Sequence, residues 1–580
     1  MSTFGPQAAR RRRLLTRALP IALLGLAAFV AGAIRGADQA DLGSAQSFVD
    51  AWASQDFRTM YGQISPASAR QYTLDDFTAA YEKAEDTATV KQVEAGEASE
   101  SNTGGSAAAV PVTLRTHAFG DIQRDLVLPL DGGKVDWKPN LVFPGLRDDE
   151  QLVRHTTVPK RAPILADDGT PLAEGPATAR SSPLGTAASA IAGSVSTPHH
   201  KQEPALERLG FPAGYPTGTS GLELAFDTRL AGHPGGELVA LPSSGGKVAA
   251  AGRTLAASEP IPGKSVHTTI DPDLQQAAVA ALGATYGGVA VLDADDGSVR
   301  AVAGIAFSGP QPPGSTFKLI TTTAALETGA VKLSDTFPIQ TSTTVGGREI
   351  ENANGEACGG TFPEAFAESC NSVFVPLGPK VGSERLVDTA EKYGFNSPPS
   401  LYEERALKAA GVPESTLPKS IPSDVDLGVT AIGQGEVLAT PLEMASVSQA
   451  IANGGVREPT RLVTDRSLRA DAKPVRVTSS DITSTMRSLM IGVVTSGTGT
   501  AAALPGIQVA GKTGTAELGP VTGGRVGEGA QRVDAWFTAF APATDPKLAV
   551  GAMVVNASGA GGDVAAPIVR SVMASAFGVS

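Results

Sequence analysis

The stretch Gly314-Ser315-Thr316-Phe317-Lys318, preceded by Gln311-Pro312-Pro313, has the pattern Ser-x-x-Lys at the expected start of a helix. Two prolines cannot lie inside a helix but can lead into one, and the apolar residues that follow have helical spacing. Because residues three apart share a helix face, the Lys318 amine can reach the Ser315 hydroxyl. A lysine whose pKa is lowered by burial or by a nearby cation can remove the serine proton, so this stretch predicts a serine nucleophile.

The positions of the histidines favour a lysine as the base. All six histidines of the chain precede Ser315. A Ser-His-Asp triad therefore cannot be built from the residues after Ser315, and a histidine-based metal site is not expected there. We predict Lys318 as the base, with no metal ion and no cofactor.

Two further short motifs follow in the chain. Ser369-Cys370-Asn371 is Ser-x-Asn, and Lys512-Thr513-Gly514 is Lys-Thr-Gly. Ser-x-x-Lys alone is a weak signal, and a surface serine one turn from a surface lysine is the alternative interpretation. The three motifs in this order resemble those of the serine-acylating enzymes that recognise penicillin.

A nucleotide-binding motif overlaps the last of these. Residues 506–513 fit the pattern Gly-x-x-x-x-Gly-Lys-Thr of a phosphate-binding loop. Such a loop must open a helix, but several glycines and a proline follow within 514–524, where a helix start is not expected. We therefore predict no nucleotide site and a strand over Ile507 to Thr515, in which Lys512 and Thr513 face opposite ways.

Composition and charge limit the classes of function. The chain has 580 residues, of which 42% are hydrophobic and 18% charged, as expected for a globular protein of several domains. Its net charge of -12 argues against a nucleic-acid-binding surface, so we expect no nucleic-acid partner.

The N-terminal residues have the pattern of a membrane anchor. Arginines at positions 10–13 and 17 precede an uncharged apolar run from Ala18 to Ile34. The run is just long enough for the ~17–25 residues that a membrane-spanning helix requires. The arginines predict a cytoplasmic stub of residues 1–17 and a single-pass protein of the cell membrane with an extracytoplasmic catalytic domain. The alternative is a signal peptide cleaved after Ala31-Gly32-Ala33, and both interpretations export the rest of the chain.

Hydrophobic patterning divides the exported chain into three parts. Residues 41–144 are predicted to form a small α+β domain, whose first helix covers about Ser44–Met60. Residues 145–262 show no clear core of their own, and we expect an elongated linking domain. Residues 267–580 are predicted to form an α/β domain with an antiparallel sheet, a helical lobe inserted between its strands, and a last helix over about Pro567–Phe577.

The chain resembles the class B penicillin-binding proteins, the single-pass D,D-transpeptidases of peptidoglycan synthesis. Besides the three motifs, the matching segments are Gly433-Gln434-Gly435 with Thr440-Pro441-Leu442, Ala452-Asn453-Gly454-Gly455, Gly497-Thr498-Gly499-Thr500 and Trp536-Phe537. Residues 41–144 look like the NTF2-like N-terminal domain of the MecA-like branch. The resemblance implies a dimerisation-type linking domain over 145–262 and a transpeptidase domain over 267–580. One departure is Arg161-Ala162, where the family usually has Arg-Gly.

The resemblance also implies a role for each motif residue. Ser315 would attack the carbonyl of the penultimate D-Ala of a stem peptide and expel the terminal D-Ala, while Lys318 takes its proton. Ser369 would relay a proton to the leaving nitrogen. Asn371 would bind a substrate amide and contact Lys318. Lys512 would supply a positive field that keeps Lys318 neutral.

The last motif would hold the substrate. The implied binding segment is Thr513, Gly514 and Thr515, of which the two threonines would bind the substrate carboxylate. The backbone N–H groups of Ser315 and Thr515 would form the oxyanion hole. The implied partners are peptidoglycan stem peptides or lipid-linked precursors, β-lactams, and a glycosyltransferase or another protein of the division or elongation machinery.

Four other functions remain open at this point. A β-lactamase uses the same motifs but is usually far shorter and lacks the two leading domains. A D,D-carboxypeptidase would transfer the acyl group to water without cross-linking. A signalling receptor would need an intracellular effector domain, which residues 1–17 cannot hold. Intact motifs argue against a non-catalytic cell-wall scaffold.

The two cysteines of the chain lie close together in sequence. They are Cys358 and Cys370, and Gly359-Gly360 between them suggests a turn. An even number of cysteines in an exported chain favours a disulfide. Such a bridge would hold the segment that carries Ser369 and Asn371, while the alternative is two unpaired thiols.

Overall fold

The computed structural model describes residues 42–101, 106–198, 203–244, 247–517 and 532–579. The predicted stub and membrane segment, residues 1–17 and 18–34, lie outside these ranges. Among the helices of the described residues, none is both long enough and apolar enough to cross a membrane. The described chain divides into two compact units: one contains the residues up to Lys160, Thr197–Tyr215 and Gly232–Gly263, and the other contains Arg161–Ser196, Pro216–Ala231 and the residues from Lys264 onward.

The first unit begins with helices packed on an antiparallel sheet, which confirms the predicted α+β domain. The helices span 42–53, Phe57–Tyr61, Pro66–Gln71 and Leu74–Ala88; the strands are Val90–Ala95, Ser99–Glu100, Ala107–Thr116, Asp121–Asp131 and Lys134–Val135, with a 3-10 turn at Pro139–Val142. Thr73 and Asp76 form a capping box that starts the long helix. Phe77 and Tyr81 of this helix pack against Trp137 in a buried aromatic core.

The prediction of one helix over Ser44–Met60 is wrong, because the chain breaks and a second helix begins. Gln55 has a left-handed φ of 58°, and the side chain of Asp56 accepts a hydrogen bond from the backbone N–H of Thr59. This cap starts the helix Phe57–Tyr61. Apolar spacing alone does not reveal such local competition between a side chain and the helix backbone.

The segment 145–262 is divided between the two units. In the first unit, the strands Glu150–Thr157, Gly235–Ser244, Lys247–Val248 and Arg253–Ser258 form an antiparallel sheet, and the unit also contains the helix Glu203–Arg208. In the second unit, Ile164–Leu165, Pro171–Ala173 and Val266–His267 form a small sheet, Val195–Ser196 pairs with Thr217–Gly218, and the helices are Thr186–Ala192, Gly221–Ala225 and Asp227–Ala231. Because its residues contribute to two different cores, the segment shows no core of its own in the sequence.

Arg161 lies in a buried cluster of charges in the second unit. Its guanidinium lies 2.6 Å from Glu223 and 2.8 Å from Asp227, and Arg180 pairs with the other carboxylate oxygen of Glu223 at 2.7 Å. Buried charges are tolerated when they are paired and hydrogen-bonded. Arg161 therefore keeps its carboxylate partners, although the residue after it is alanine and not the glycine that is usual in the family.

A five-stranded antiparallel sheet forms the centre of the second unit, as predicted. The strand order is Val299–Gly304, Gly287–Asp293, Leu548–Ala557, Val533–Ala541 and Ala510–Glu517. The helices Pro272–Leu282 and Gly561–Phe577 cover one face, and Pro441–Ala452 covers the other. Because both faces are covered, the central strands are almost continuously apolar and buried.

The inserted lobe lies between the strands Val299–Gly304 and Ala510–Glu517. Its helices are Lys318–Thr328, Phe362–Ala367, Asn371–Phe374, Leu377–Val381, Ser383–Tyr393, Glu404–Ala410, Asp424–Ala431, Pro441–Ala452 and Ser480–Thr495. The lobe is less helical than predicted, because it contains the paired strands Thr336–Gln340 with Cys358–Thr361, Ser342–Val345 with Arg348–Glu351, and Val456–Arg457 with Val475–Arg476.

The last helix begins earlier than the sequence suggests. A start at Pro567 is wrong, since the helix runs over Gly561–Phe577 with the proline inside it. A side chain at Gly561 would collide with the carbonyl oxygens of Trp536 and Gly514. The helix can therefore start directly against the sheet only because this residue is a glycine.

Candidate active site

Ser315 lies on a 3-10 turn, Gly314–Phe317, which leads into the α-helix Lys318–Thr328. The turn differs slightly from the predicted α-helix start, but it keeps Ser315 and Lys318 on one side, because residues three apart are aligned in a 3-10 turn. The Ser315 side chain is half-buried, whereas Lys318 is fully buried. The hydrogen bonds of Lys318 within the described residues go to the Ser-x-Asn segment rather than to Ser315.

Two glycines bring the turn against the edge strand of the sheet. Gly314 has a left-handed φ of 52°, and a Cβ atom there would lie 2.5 Å from the Thr515 carbonyl oxygen. A Cβ atom at Gly514 would lie 2.6 Å from the Pro313 carbonyl oxygen. Only glycine permits this close approach, which places the backbone of Ser315 beside that of Thr515.

Ser369 connects the two lysines of the motifs. Lys318 Nζ donates to the Ser369 carbonyl at 2.7 Å and lies 3.3 Å from its hydroxyl, while Lys512 Nζ donates to the same hydroxyl at 2.9 Å. Ser369 has a φ of 60°, which is uncommon for a residue with a side chain. This conformation directs both its carbonyl and its hydroxyl toward the lysines, and strained residues of this kind cluster at functional sites.

Asn371 contacts Lys318 from the first turn of the next helix. Its Oδ1 accepts a hydrogen bond from Lys318 Nζ at 2.8 Å, and its Nδ2 donates to the Glu351 carbonyl at 3.0 Å. The Glu351 carbonyl belongs to none of the three motifs, and its contact with Asn371 is not among the sequence predictions. A backbone acceptor at the end of a short polar strand leaves no signal in the sequence.

Lys512 lies inside the strand Ala510–Glu517, where it pairs with Thr538 of the next strand. No helix opens at Lys512-Thr513, so the geometry of a phosphate-binding loop is absent at these described residues. Strand alternation predicts that Lys512 and Thr513 face opposite ways. The long lysine side chain nevertheless turns back, and its Nζ lies 3.1 Å from the Thr513 carbonyl and 3.5 Å from the Thr513 hydroxyl.

The pKa values of both lysines are lowered, chiefly by burial. Burial first, and then the charge of Lys512, holds the pKa of Lys318 well below its usual value. Burial lowers the pKa of Lys512 to about 7. Each amine also lies near an aromatic ring, with Lys318 Nζ 5.0 Å from the centroid of Phe374 and Lys512 Nζ 5.8 Å from that of Phe366. Lys318 is therefore suited to act as a neutral base beside a second, partly charged amine.

The threonines of the last motif lie at the end of the site. The hydroxyls of Thr513 and Thr498 are 2.6 Å apart, and the Thr515 hydroxyl accepts a hydrogen bond from the Gly561 N–H at 3.3 Å. In the sequence, Thr498 belongs to a segment that flanks the three motifs, and the sequence does not predict its contact with Thr513. Gly514, between the two threonines, serves the close packing on the 3-10 turn.

Cys358 and Cys370 form a disulfide, with their Cα atoms 5.8 Å apart. Cys358 begins the strand Cys358–Thr361, and Cys370 lies between Ser369 and Asn371. The disulfide therefore joins the strand pair Thr336–Gln340 and Cys358–Thr361 directly to the Ser-x-Asn segment.

A serine on a glycine-bounded turn, with two buried lysines that meet at a second serine, defines a serine acyl-transfer site of the penicillin-recognising class. Three family models match the chain in order: the NTF2-like N-terminal transpeptidase domain over 42–150, the penicillin-binding protein dimerisation domain over 172–268, and the penicillin-binding protein transpeptidase domain over 287–574. The chain belongs to the penicillin-binding protein family of peptidoglycan D,D-transpeptidases, with the domain order of class B.

Relatives and solved structures support the same family. The peptidoglycan D,D-transpeptidase PbpA of Mycobacterium tuberculosis is 35% identical over 365 residues, which cover 59% of this chain and 67% of that protein. PbpA of Mycolicibacterium smegmatis is 33% identical over 377 residues, covering 54% and 73% respectively. The structure of the penicillin G acyl-enzyme of M. tuberculosis penicillin-binding protein A is similar with a TM-score of 0.55 and 28% identity, covering 72% of this chain and 100% of that one.

Proposed function

We propose that this protein is a serine D,D-transpeptidase that cross-links peptidoglycan stem peptides and is acylated by β-lactams. The observation that carries the proposal is the contact of both buried lysines with Ser369. One of these lysines, Lys318, lies one turn after Ser315. A neutral Lys318 supplies a base, and Ser369 links it to Lys512. The three matched domains are those of the transpeptidase family, and they favour this function over a β-lactamase or a receptor.

Acylation begins with the transfer of a proton from Ser315 to Lys318. The Ser315 oxygen forms a bond to the carbonyl carbon of the penultimate D-Ala, and the negative charge that develops on the carbonyl oxygen is stabilised by the backbone N–H groups of Ser315 and Thr515. Collapse of this intermediate breaks the peptide bond. The terminal D-Ala leaves as the amine after it receives a proton through Ser369, and the acyl group remains on Ser315.

The second half of the reaction repeats these steps in reverse with a different nucleophile. An amine of a neighbouring stem peptide attacks the ester carbonyl and loses a proton to the Lys318–Ser369 pair. The bond from the carbonyl carbon to the Ser315 oxygen then breaks, and Lys318 returns a proton to that oxygen. Asn371 is placed to bind an amide of the donor peptide, and Lys512 with Thr513 is placed to bind its carboxylate. In a β-lactam, the lactam carbonyl replaces that of the penultimate D-Ala.

The proposal includes attachment to the cell membrane outside the cytoplasm. The arginines before position 18 and the apolar run Ala18–Ile34 support an anchor with its N-terminus inside. The disulfide Cys358–Cys370 supports an oxidising, extracytoplasmic location. A membrane-bound enzyme of this kind would meet lipid-linked precursors and a glycosyltransferase in the same plane.

The experiment that tests the activity uses a D-Ala-D-Ala thioester analogue as donor and a D-amino acid as acceptor. Full-length protein should form the acceptor adduct, and Ser315→Ala should form none. Lys318→Ala should react about 10²–10⁴-fold more slowly, as expected for loss of a general base. Lys408→Ala, which removes an exposed lysine paired with Glu404, is the control and should react normally. Release of free acid without any acceptor adduct would indicate a carboxypeptidase instead.

A further inference from the structure

The amide of Asn371 is held from both sides. Its Oδ1 accepts a hydrogen bond from Lys318 at 2.8 Å, and its Nδ2 donates to the Glu351 carbonyl at 3.0 Å. A backbone carbonyl only accepts hydrogen bonds, so the amide nitrogen must face Glu351 and the amide oxygen must face Lys318. The orientation of Asn371 is therefore determined by a backbone group outside the three motifs.

Asn352 holds that backbone group in place. Its side chain is 4% exposed, and its Nδ2 donates to the carbonyls of Gln340 at 2.8 Å and Glu356 at 2.9 Å. Its Oδ1 accepts a hydrogen bond from the backbone N–H of Ser372 at 2.8 Å. Asn352 directly follows Glu351 in the chain, so these three bonds restrict the position of the Glu351 carbonyl.

The three bonds join separate parts of the lobe. Gln340 ends the strand Thr336–Gln340, and Glu356 shortly precedes its partner strand Cys358–Thr361. Ser372 lies next to Asn371 on the helix Asn371–Phe374. Asn352 therefore ties both strands of the pair to the helix that carries the motif asparagine.

We propose that Asn352 is a positioning residue for acylation. It holds the Glu351 carbonyl against Asn371, and Asn371 in turn aligns the Lys318 amine. The inference rests on the proposed function, since it concerns the acylation of Ser315. The chemistry does not require Asn352 itself to contact the substrate.

The test is a double-mutant cycle on the rate of acylation by penicillin, followed by intact mass. Asn352→Ala should acylate roughly tenfold or more slowly, because a small misplacement of a reacting group has an effect of that size. Asn371→Ala should also be slow, and adding Asn352→Ala to it should produce no further loss, because Asn352 acts through Asn371. The matched control is Asn396→Ala, which removes another asparagine that links two segments, through the Leu417 N–H, but lies outside the motifs.

The outcomes separate this inference from the proposed function. Failure of the unaltered protein to be acylated would remove the proposed function. Normal acylation of Asn352→Ala, or a loss that multiplies with that of Asn371→Ala, would overturn the positioning role. Circular dichroism and thermal unfolding check the fold of each variant. If Asn352→Ala does not fold, Asn352→Asp, which keeps the acceptor for Ser372 and loses both donors, is judged by the same two criteria.

Discussion

At the scale of single residues, the two buried lysines need opposite protonation states to carry out their proposed roles. Lys318 acts as a base only when it is neutral, and its lowered pKa makes this form available. Lys512 attracts a carboxylate only when it is charged, and its pKa of about 7 in the free site means that it loses this charge as the pH rises. A rising pH therefore favours the neutral form that Lys318 needs and removes the charged form that Lys512 needs.

We therefore expect the second-order rate constant of acylation by penicillin to have a bell-shaped pH dependence. It should fall at low pH as Lys318 becomes protonated, and fall again above about pH 7 as Lys512 loses its proton. Stopped-flow or quenched mass measurements from about pH 5 to about pH 10 would define both the acidic and the alkaline fall of the rate constant.

Lys512→Arg is the variant that assigns the alkaline limb. A guanidinium stays charged across this whole pH range. The variant should react more slowly, because the group is larger and its geometry differs, but its rate should no longer decline at high pH. An alkaline limb at the same pH in Lys512→Arg would contradict the assignment to Lys512.

The motif residues could be predicted from the sequence, but the residues that hold them in position could not. Ser315, Lys318 and Ser369 could be predicted because each belongs to a short motif whose chemistry depends on residue type. Asn352 could not, because its role depends on which carbonyls the fold brings around it. The contact of Thr498 with Thr513 also depends on two segments that meet only in the folded chain.

At the scale of structural elements, the site depends on the approach of the 3-10 turn to the edge strand. Gly314→Ala should slow acylation strongly and lower the melting temperature, because its Cβ would lie 2.5 Å from the Thr515 carbonyl oxygen. Gly329→Ala is the matched control, since Gly329 also has a left-handed φ, of 71°, but no atom lies within 4 Å of the added Cβ. Acylation rates and thermal unfolding of both variants provide the comparison. Equal effects of the two substitutions would show that backbone strain alone, and not the close approach, matters.

The disulfide is the second element-scale feature. Its loop has a sequence separation of 12 residues, and closing a loop of this size stabilises a protein by about 3 kcal/mol on the chain-entropy model. Cys358→Ser should therefore lower the free energy of unfolding by about this amount in denaturant titrations. Thiol quantification in the denatured, unreduced protein is the prior check, and two reactive thiols per chain would contradict the bond.

Element boundaries were predicted less well than element types. The break at Gln55 depends on a local cap by Asp56, and the early start of the last helix depends on packing of Gly561 against the sheet. Neither effect changes the apolar spacing from which the helices were predicted. The antiparallel sheet was predicted correctly, because strands such as Val533–Ala541 are mostly apolar and buried along their whole length. The strand predicted over Ile507 to Thr515 instead spans Ala510–Glu517.

At the scale of the whole molecule, the order of domains could be predicted, but the distribution of residues 145–262 between two units could not. A segment that contributes single strands and short helices to two cores has no periodicity that assigns each piece to its partner. The family models nevertheless match the three domains in the predicted order.

The membrane anchor is a prediction at this scale. Full-length protein expressed with its own N-terminus should stay in the membrane fraction after washing with high salt and alkaline carbonate, because the run Ala18–Ile34 is long enough to span the hydrocarbon core. N-terminal sequencing should find the native N-terminus. A mature protein that begins just after Ala33 would show a cleaved signal peptide instead.

The most direct test of the central claim is the intact mass of the protein after incubation with penicillin G. We expect one covalent adduct per chain, located by peptide mapping on Ser315. We expect no adduct on a Ser315→Ala variant whose circular dichroism and melting temperature match those of the unaltered protein. An adduct on another residue, or continued labelling of the folded Ser315→Ala variant, would contradict the assignment of Ser315 as the nucleophile.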